Sequence, residues 1–597
     1  MLSDLRAILG WLDGRLRLRW ALLVPILSVA ALLEAVAAIA VFGLLRIVVE
    51  PDRVRTAPIV STIWRAWPSD DPPAIVAALT VGIALFYVVR ALYLSWAEWV
   101  KESTIAQSAT RAADRLFARY LAAEYPFHLK RRSSQLIQEV ARSTDIAFQL
   151  FVGSLVNLLA EIATIVVLVA VLAATAPRQA LGAVALVLAL AAIPTVVTRR
   201  VWVRAGERQR TLEAQQLHVL QQSLGAVKEV KIAGREAFFE ARLRVTRRAL
   251  ARAKQHRQWL GNGLRLGIET VLIVCMLGVV LLVTLRGASS ADTVSMLALF
   301  AYTGFRIVPS ANRIMLNTGS LREGHAFVQG AIADFKALKA APSRGQGPEP
   351  AIDFSQSLVC DDVTFTYDEG GQAALSHVNL SLRPGESFGI VGETGAGKST
   401  LVDVLLGLLE PTSGRVVLDG ESLSGRERAW QRLIGYVPQN PYLLDDTVRR
   451  NIAFGVPDTS IDEHRLARAA SLAHLDEVIQ QLPQGFDTPL GERGTRLSGG
   501  QRQRVAIARA LYADPAVLVF DEATAALDNQ TEREVTSAIA ALHGTRTLIV
   551  IAHRLSTVQD CDRLVFLQGG RVAATGTYNE LLGNPGFRSM ASVSMSR

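Results

Sequence analysis

Six apolar segments, each long enough to cross a lipid bilayer, limit the folds that are open to this chain. A helix needs about 20 apolar residues to cross the hydrocarbon core of a membrane. The segments are Trp20 to Val49, Pro73 to Trp99, Phe151 to Ala176, Leu181 to Thr198, Leu266 to Leu285 and Ala291 to Leu316. They predict a membrane protein with six transmembrane helices.

Composition and charge support this interpretation and orient the chain. Hydrophobic residues make up 50% of the 597 residues, and the mean hydropathy of +0.27 is high for a soluble protein. Four arginines precede the first span, namely Arg6, Arg15, Arg17 and Arg19. Because cytoplasmic segments of membrane proteins carry excess Lys and Arg, the N-terminus is predicted to be cytoplasmic, and six spans return the chain there. The leader itself predicts an interfacial helix, and a cleaved signal peptide is not expected.

The formal net charge of +9 follows from the same topological rule. The sequence carries no nucleic-acid-binding motif, so no nucleic-acid partner is expected.

Two long polar segments lie between predicted spans. Residues 100 to 150 separate spans two and three, and residues 199 to 265 separate spans four and five. Their helical composition predicts that the membrane helices continue into the cytoplasm as antiparallel pairs, with turns near EYPFHLKRRSS and LGAVKEVKIAGRE.

A glycine-rich loop, GETGAGKST, follows an apolar run of β type and precedes a segment with helical periodicity. This order is typical of phosphate binding, because the loop N–H groups and the helix N-terminus face phosphate oxygens. The residues expected to hold a nucleotide in this way are Gly392, Glu393, Thr394, Gly395, Ala396, Gly397, Lys398, Ser399 and Thr400. Lys398 is predicted to reach the β- and γ-phosphates, which makes it a catalytic candidate, and Ser399 is predicted to bind magnesium.

Two adjacent carboxylates, Asp521 and Glu522, end an apolar run in the segment AVLVFDEAT. An acidic pair at the end of a buried strand is the second half of a site that cleaves phosphate bonds. Asp521 is predicted to hold magnesium, directly or through water. Glu522 is placed to polarise the attacking water, so it is the candidate general base.

A third motif, RLSGGQRQRVAIARAL, lies between the loop and the acidic pair. Together the three motifs resemble the signature of ATP-binding cassette (ABC) transporters, and the resemblance covers nearly the whole chain. It implies that a helix N-terminus binds the γ-phosphate of ATP held by the opposite subunit, through Ser498, Gly499, Gly500 and Gln501. A hydroxyl, two glycines and a helix start do form an anion site, in agreement with this role.

The same resemblance implies roles for four further residues. Tyr367 in FTYDEG would stack on adenine, and Gln439 in GYVPQNP would bind magnesium and sense both the metal and the transmembrane domain. His553 in IAHRLS would contact the γ-phosphate as a catalytic residue, and Asp528 in AALD would cross the dimer interface. One departure from the family pattern is Ala525, where serine is common, but an active ATPase is still expected.

The predicted fold class is a membrane α-helical bundle, with six transmembrane helices and long cytoplasmic extensions, fused to an α/β P-loop ATP-binding cassette. The transmembrane domain with its N-terminal interfacial helix is predicted over 1–336, a Pro/Gly-rich linker over 337–352, and the nucleotide-binding domain over 353–597. One cassette and six spans make half of an exporter, so a homodimer that uses ATP and Mg²⁺ is expected. Its predicted location is the bacterial cytoplasmic (inner) membrane, with the N-terminus and the cassette in the cytoplasm.

Three arginines, Arg90, Arg265 and Arg306, interrupt spans that are otherwise nearly uncharged. A rise of ~1.5 Å per residue places all three at a similar depth, toward the inner leaflet. Charges inside a membrane usually face a cavity or a partner, so the arginines are candidates to bind a phosphate or pyrophosphate headgroup. The alternative is that they anchor the helices at the inner headgroups.

The phrases VVRALY, KEVKIAGREAFF and FRIVPSANRI, with a Trp-bearing first outer loop, resemble bacterial lipid-linked oligosaccharide flippases. This resemblance implies ATP-driven translocation of a membrane lipid, a polyprenyl-pyrophosphate-linked glycan. A lipid A-type flippase and a multidrug or peptide exporter remain open as alternatives. An ATP-gated channel or a regulatory membrane cassette is disfavoured, because regulatory cassettes often lack the carboxylate that Glu522 supplies.

Overall fold

The computed structural model describes residues 2–49, 72–175, 198–285, 290–340, 352–367, 371–522, 542–552 and 554–595. Contacts within the chain define two compact units. The first comprises Met1–Ala123 and Phe127–Pro342, and the second comprises Glu124–Pro126 and Ser343–Arg597. The domain boundaries proposed from the sequence stay predictions, because most of the linker lies outside the described residues.

The described chain up to residue 340 is helical. Its α-helices are α1 (Leu2–Gly10), α2 (Gly14–Val49), α3 (Pro72–Ala122), α4 (Tyr125–Lys130), α5 (Ser133–Gln138), α6 (Thr144–Ile146), α7 (Ser154–Thr175), α8 (Arg199–Gly225), α9 (Val227–Ile232), α10 (Glu236–Leu285) and α11 (Ser290–Ala340). Within this described part, two π-helical segments, Glu139–Ser143 and Ala147–Gly153, connect α5, α6 and α7. A π-helical turn widens the helix locally and is uncommon, so two in succession mark this segment as irregular.

Three described helical stretches are long and apolar enough to cross a membrane, and they run over Gly14–Glu34, Val76–Ala122 and Ser133–Val167. They overlap the first three spans predicted from the sequence. The fifth and sixth predicted spans lie within α10 and α11, and the fourth lies outside the described residues except for Thr198. The predicted spans that the structure describes are therefore helical, as expected.

The longest helices extend far beyond one bilayer. Helix α3 has 51 residues and α10 has 50, which corresponds to about 75 Å at about 1.5 Å per residue. A hydrocarbon core is only ~30 Å thick, so more than half of each helix projects from it. The two predicted turns contain the short helices α4 and α9. The prediction of long helical extensions with tight turns agrees with the structure.

The described extensions share a hydrophobic core to which the N-terminal helix contributes. Ile8 of α1 and Phe327 of α11 are fully buried. Trp11, just after α1, stacks on Phe335 of α11 with ring centroids 4.0 Å apart. The predicted interfacial helix is thus held against its own chain by aromatic packing.

Four carboxylates are buried in the described part of this helical region, and each forms an ion pair with an arginine distant in sequence. The pairs are Glu139 with Arg210 at 2.5 Å, Glu213 with Arg142 at 3.1 Å, Glu323 with Arg257 at 2.8 Å, and Asp334 with Arg131 at 2.7 Å. Burial of a charge costs solvation free energy, which the partner offsets only while both are present. Each ion pair therefore links two segments of the helical bundle, and the packing of one segment depends on the charge that the other supplies.

The described chain from residue 352 forms two sheets with surrounding helices. Its elements are β1 (Leu358–Phe365), β2 (Leu375–Leu382), β3 (Ser387–Gly392), α12 (Lys398–Leu405), β4 (Ser413–Leu418), β5 (Glu421–Ser422), α13 (Glu427–Gln431), β6 (Ile434–Val437), α14 (Val448–Ile452), α15 (Glu463–Leu472), α16 (Asp476–Gln481), α17 (Gly499–Tyr512), β7 (Val517–Asp521), β8 (Thr547–Ile551), β9 (Arg563–Gln568), β10 (Arg571–Gly576), α18 (Tyr578–Leu581) and α19 (Pro585–Met595).

One sheet is antiparallel, with the order β2-β1-β4-β5. The other has six described strands in the order β10-β9-β3-β8-β7-β6, and it is parallel except for the edge pair of β10 and β9. Strand β3 is buried along its whole length, since a parallel sheet is covered on both faces. One core lies between the two sheets and includes α12, and a second packs α14 to α17 on the six-stranded sheet.

The buried pair of Glu323 and Arg257 gives a stability prediction. Glu323 is fully buried, so Arg257→Ala would leave a buried charge without its partner and lower the free energy of unfolding by about 3 to 5 kcal/mol. Arg244→Ala is a matched control on the same helix, because the Arg244 pair with Glu240 is exposed and contributes at most about 1 kcal/mol. Thermal unfolding in detergent measures both variants. Equal shifts of their unfolding midpoints would contradict the prediction.

Candidate functional site

Parallel strand pairing brings the sequence motifs together at one edge of the six-stranded sheet. Strands β3, β8, β7 and β6 are neighbours and run parallel, so their carboxyl ends share that edge. The phosphate loop follows β3, Asp521 ends β7, and Gln439 follows β6. In open α/β sheets ligands bind at the carboxyl ends of the strands. The edge is therefore the candidate nucleotide site.

The phosphate loop is shaped by close backbone contacts as well as by glycine conformations. Gly397 precedes α12 with a φ of +99°, and a Cβ at this position would lie 2.7 Å from the carbonyl oxygen of Ala374. A Cβ on Gly392 would lie 2.4 Å from the carbonyl oxygen of Leu567. Only glycine fits at either place without displacement of the backbone. The intervening residues 393–395 are exposed, so the outer part of the loop is open to a ligand.

Lys398 extends back into its own loop. Its Nζ donates to the carbonyl oxygens of Gly392 at 2.8 Å and Glu393 at 3.1 Å. Burial lowers the pKa of Lys398, while the charges of Glu522 and Asp521 act in the opposite direction. A partly desolvated ammonium held inside the loop is placed to bind an anion that enters it.

The acidic pair follows β7, and each carboxylate has a specific partner. Tyr436 of β6 donates its hydroxyl to Oδ2 of Asp521 at 3.0 Å, and Nε2 of Gln439 donates to Oε2 of Glu522 at 2.5 Å. Glu522 has a φ of +48°, and its N–H donates to the carbonyl oxygen of Ile551 at 3.0 Å. A left-handed conformation is uncommon for glutamate and is maintained by its surroundings. The backbone thus turns sharply where the general base is predicted.

Tyr367, the residue predicted to stack on adenine, contacts the start of α12. Its hydroxyl is 3.0 Å from Oγ1 of Thr400, and 45% of the residue is exposed. Its ring meets the ring of Phe365 edge to face at a centroid distance of 5.0 Å. One edge of the tyrosine is thus fixed while much of its surface stays accessible, as a stacking partner for a base requires.

The signature motif forms a separate helix start. Ser498 is the N-cap of α17, and its hydroxyl accepts from the N–H of Gln501 at 3.2 Å. The Gln501 side chain accepts from the N–H of Ser498 at 2.9 Å, which completes a capping box. Ser498 and Gly499 are exposed, so the positive end of the helix dipole faces solvent. The motif is preorganised, and residues 498–501 include no cationic side chain.

Two residues of the predicted nucleotide site, His553 and Asp528, lie outside the described residues.

Of the three candidate substrate arginines, Arg90 forms an ion pair with Glu34 at 2.5 Å, and Arg265 lies 4.0 Å from Glu269 on its own helix. The side chain of Arg306 is likewise outside the described part of the chain. Arg90 and Arg265 therefore have different carboxylate neighbours, and their proposed role stays a prediction.

Two residues at the site were missed by sequence reasoning. Tyr436 lies three residues before Gln439 and contacts Asp521, and Asp403 lies one helical turn after Ser399. Burial, with the charge of Asp521, raises the pKa of Asp403 to about 6. The only signal for Tyr436 in the sequence is the alternation of β6, which places it on a different face from its neighbours. No local pattern distinguishes Asp403 from an ordinary helical carboxylate.

The predicted magnesium ligands have suitable chemistry. Ser399 offers a hydroxyl, Asp521 a carboxylate, and Gln439 an amide oxygen that is left over after Nε2 donates to Glu522. Among the described residues, no group of three or more His, Cys, Asp or Glu side chains could hold a metal ion by itself. Mg²⁺ commonly takes one or two protein oxygens and completes its shell with water and substrate phosphates. The residues at this edge fit that pattern, and the tight glycine loop beside them fits a polyphosphate.

Comparison with known proteins agrees with this geometry. Residues 375–525 match the family model described as ABC transporter, and residues 55–307 match the ABC transporter transmembrane region. An ATP-dependent lipid A-core flippase of Cupriavidus metallidurans is 34% identical over 520 residues, which cover 86% of this chain and 85% of that protein. The chain belongs to the ABC transporter family. As an ABC transporter it binds ATP and is a membrane-bound, transport-coupled ATPase.

Further relatives support the exporter type of this ABC transporter. An ATP-dependent lipid A-core flippase of Ralstonia nicotianae is 34% identical over 518 residues, with 86% of each chain covered. Among solved structures, a bacterial Atm1-family ABC exporter with ATP bound is similar with a TM-score of 0.81 and 26% identity. That similarity covers 98% of this chain and 100% of the other. The family resemblance and the fold class inferred from the sequence are confirmed: one membrane region is fused to one cassette.

The Tyr436 contact gives a testable prediction for this ABC transporter. Tyr436→Phe removes the hydrogen bond to Asp521, so the carboxylate is oriented less firmly. A hydrogen bond to a charged group contributes about 1.5 to 3 kcal/mol, and part of this is expected to appear as a severalfold higher Mg²⁺ requirement of the ATPase. Affinity for a fluorescent ATP analogue without Mg²⁺ should change little.

Tyr442→Phe is the control, because Tyr442 is 65% exposed and follows the same strand. It should leave the Mg²⁺ requirement unchanged. If Tyr436→Phe also has the Mg²⁺ requirement of the unmodified protein, the hydroxyl does not position Asp521.

Proposed function

We propose that this ABC transporter is an ATP-driven flippase that moves a lipid with a phosphate or pyrophosphate headgroup across the bacterial cytoplasmic membrane. The observation that carries the proposal is Arg90, a guanidinium on a membrane-spanning helix of a chain whose relatives are named lipid flippases. Intramembrane charge is costly and usually serves a substrate path. A guanidinium binds phosphate oxygens in a bidentate manner.

The nucleotide site supports a working ATPase with Mg²⁺ as its metal. ATP supplies the bond that is cleaved, and Mg²⁺ neutralises charge on its phosphates. Lys398 would bind the β- and γ-phosphates, while Ser399, Gln439 and Asp521 would face the metal. Glu522 would orient and deprotonate the attacking water, and its contact with Gln439 fixes its carboxylate. By resemblance, His553 would contact the γ-phosphate and Tyr367 the adenine.

A homodimer is the proposed working form. Each chain carries one phosphate loop and one signature helix start, Ser498 to Gln501, whose first residues are exposed and which has no cationic side chain among its four residues. An anion site of this kind suits the γ-phosphate of ATP bound to the other subunit, and Asp528 is proposed to cross the same interface. Two identical chains would thus complete two sites. ATP binding would favour the closed dimer, and hydrolysis would release it.

Two lipid classes fit the proposed headgroup chemistry. The sequence resemblance favours a polyprenyl-pyrophosphate-linked glycan, and the names of the relatives favour lipid A-core. Both carry phosphate on a lipid that stays in the bilayer, so Arg90, Arg265 and Arg306 would serve either. Glu522 argues against a regulatory cassette or an ATP-gated channel, since neither requires a general base.

Glu522→Gln tests the ATPase. The amide keeps the size of the side chain but does not accept the proton of the attacking water, so we expect phosphate release to fall at least about 100-fold. Binding of ATP should persist, and ATP should trap the dimer in a closed form, measured by size-exclusion chromatography and distance probes. Glu477→Gln on the exposed side of α16 is the control. Near-normal phosphate release from Glu522→Gln would remove it from the base role.

Reconstituted flipping tests the substrate. Proteoliposomes receive a labelled polyprenyl-pyrophosphate disaccharide or labelled lipid A-core, and loss of the label from the leaflet that faces the cassette is followed with ATP. In the variant with Arg90, Arg265 and Arg306 changed to Ala, the amount of lipid flipped per ATP hydrolysed is expected to fall at least about 10-fold. A 10-fold change corresponds to about 1.4 kcal/mol of binding free energy. Arg244→Ala, at an exposed position of α10, should flip normally. Unchanged flipping by the triple variant would show that the arginines are anchors.

A further inference from the structure

Helices α2 and α3 carry an ion pair within their membrane-spanning stretches. Arg90 of α3 and Glu34 of α2 are 2.5 Å apart, and their side chains are only 14% and 22% exposed. The two helices are also joined by the Tyr93 hydroxyl, which donates to the carbonyl oxygen of Ile26 at 2.9 Å. The helix contact therefore does not depend on the ion pair alone.

The location of the pair makes both charges costly. Arg90 lies in the stretch Val76–Ala122 and Glu34 in the stretch Gly14–Glu34, both of which are long and apolar enough to cross a membrane. A single charge in such a stretch is unfavourable, and an adjacent opposite charge reduces the cost. Glu34 therefore explains how Arg90 is tolerated while no substrate is bound.

The ion pair does not satisfy every donor of the Arg90 guanidinium. Arg90 Nε is buried and has no hydrogen-bond partner among the described residues, although its terminal nitrogen contacts Glu34. The guanidinium carbon lies 5.3 Å from the centre of the Tyr87 ring. A buried donor without an acceptor is unfavourable. A phosphate group, with several oxygens, could accept from Nε and from the terminal nitrogens together.

We propose that Glu34 is a specificity-determining residue, which occupies Arg90 until the phosphate or pyrophosphate of a lipid displaces it. This inference rests on the proposed function, because it concerns the same arginine. Every anionic lipid must displace the bound carboxylate, so Glu34 lowers the apparent affinity of each of them by the same factor. A dianionic phosphate or a pyrophosphate still binds, because its attraction to the guanidinium is stronger, whereas the monoanionic phosphodiester of an ordinary phospholipid binds too weakly to occupy the site. Glu34 thus sets the affinity that a lipid must exceed to bind at Arg90.

Direct lipid binding tests the proposal without ATP hydrolysis. The homodimer in phosphatidylcholine nanodiscs is titrated with undecaprenyl pyrophosphate, with diphosphorylated lipid A, or with phosphatidylglycerol, and bound lipid is counted by native mass spectrometry. Glu34→Gln is expected to raise the affinity for all three lipids by a similar factor, at least about 5-fold. Phosphatidylglycerol should therefore bind to this variant at concentrations at which the unmodified protein binds little of it.

Two further variants control for a structural role. Glu161→Gln breaks another ion pair between helices, that of Glu161 with Arg313, and should leave the three lipid affinities unchanged. Glu34→Asp keeps the carboxylate but withdraws it by one methylene, so its lipid affinities should lie between those of the unmodified protein and Glu34→Gln. This variant also provides the test if Glu34→Gln does not fold. Unchanged lipid affinities in the Glu34 variants, or an equal rise in Glu161→Gln, overturn the proposal.

Arg90→Ala separates this inference from the proposed function. If Arg90→Ala binds the lipids as the unmodified protein does, Arg90 is not a headgroup site and both proposals lose their basis. If Arg90→Ala loses binding of the pyrophosphate or lipid A while the Glu34 variants keep the original lipid affinities, the proposed function stands and the role of Glu34 is wrong. The titrations with lipid A and with undecaprenyl pyrophosphate show which of these two lipids binds at this site.

Discussion

The parallel pairing of β3, β8, β7 and β6 is the constraint on which the nucleotide site depends. It brings the phosphate loop, Gln439 and the acidic pair to one edge, although Gln439 and Glu522 are 83 residues apart. Tight packing of the loop against neighbouring carbonyls then holds it curled, because a Cβ on Gly392 or Gly397 would collide with backbone. Loss of register in this sheet would separate Lys398 from the carboxylates that act on the same phosphate.

The membrane unit relies on a different principle, which is charge compensation at low dielectric. Along the helical extensions, buried carboxylates such as Glu323 and Asp334 meet arginines from distant parts of the chain. Within the membrane-spanning stretches, Glu34 meets Arg90 in the same way. A buried ion pair adds little net stability, but it penalises any rearrangement that separates its members. An ion pair in which a ligand can replace one member therefore suits a transport path. An ion pair that is fully buried instead suits the structural core.

Much of the fold and of the ATP site could be predicted from the sequence, because both depend on local signals. Apolar runs of sufficient length specify spans, and the spacing of glycines, lysine and hydroxyl in GETGAGKST specifies a phosphate loop. The contacts of Tyr436 with Asp521 and of Glu34 with Arg90 could not be predicted. Each joins residues on different strands or helices, and no periodicity in either segment indicates which residue of the other lies opposite.

By itself the sequence predicted six spans before one cassette and an ATP-dependent chemistry, and it marked Glu522 and Lys398 as the residues to expect at the bond that breaks. These conclusions follow from side-chain type and spacing, which act within one element. Only the tertiary structure decided that Glu522 adopts a left-handed conformation beside Gln439, and that Arg90 is compensated by Glu34. Such facts arise from the pairing of strands and the facing of helices, and the free energy of a buried polar contact depends on which groups that packing brings together.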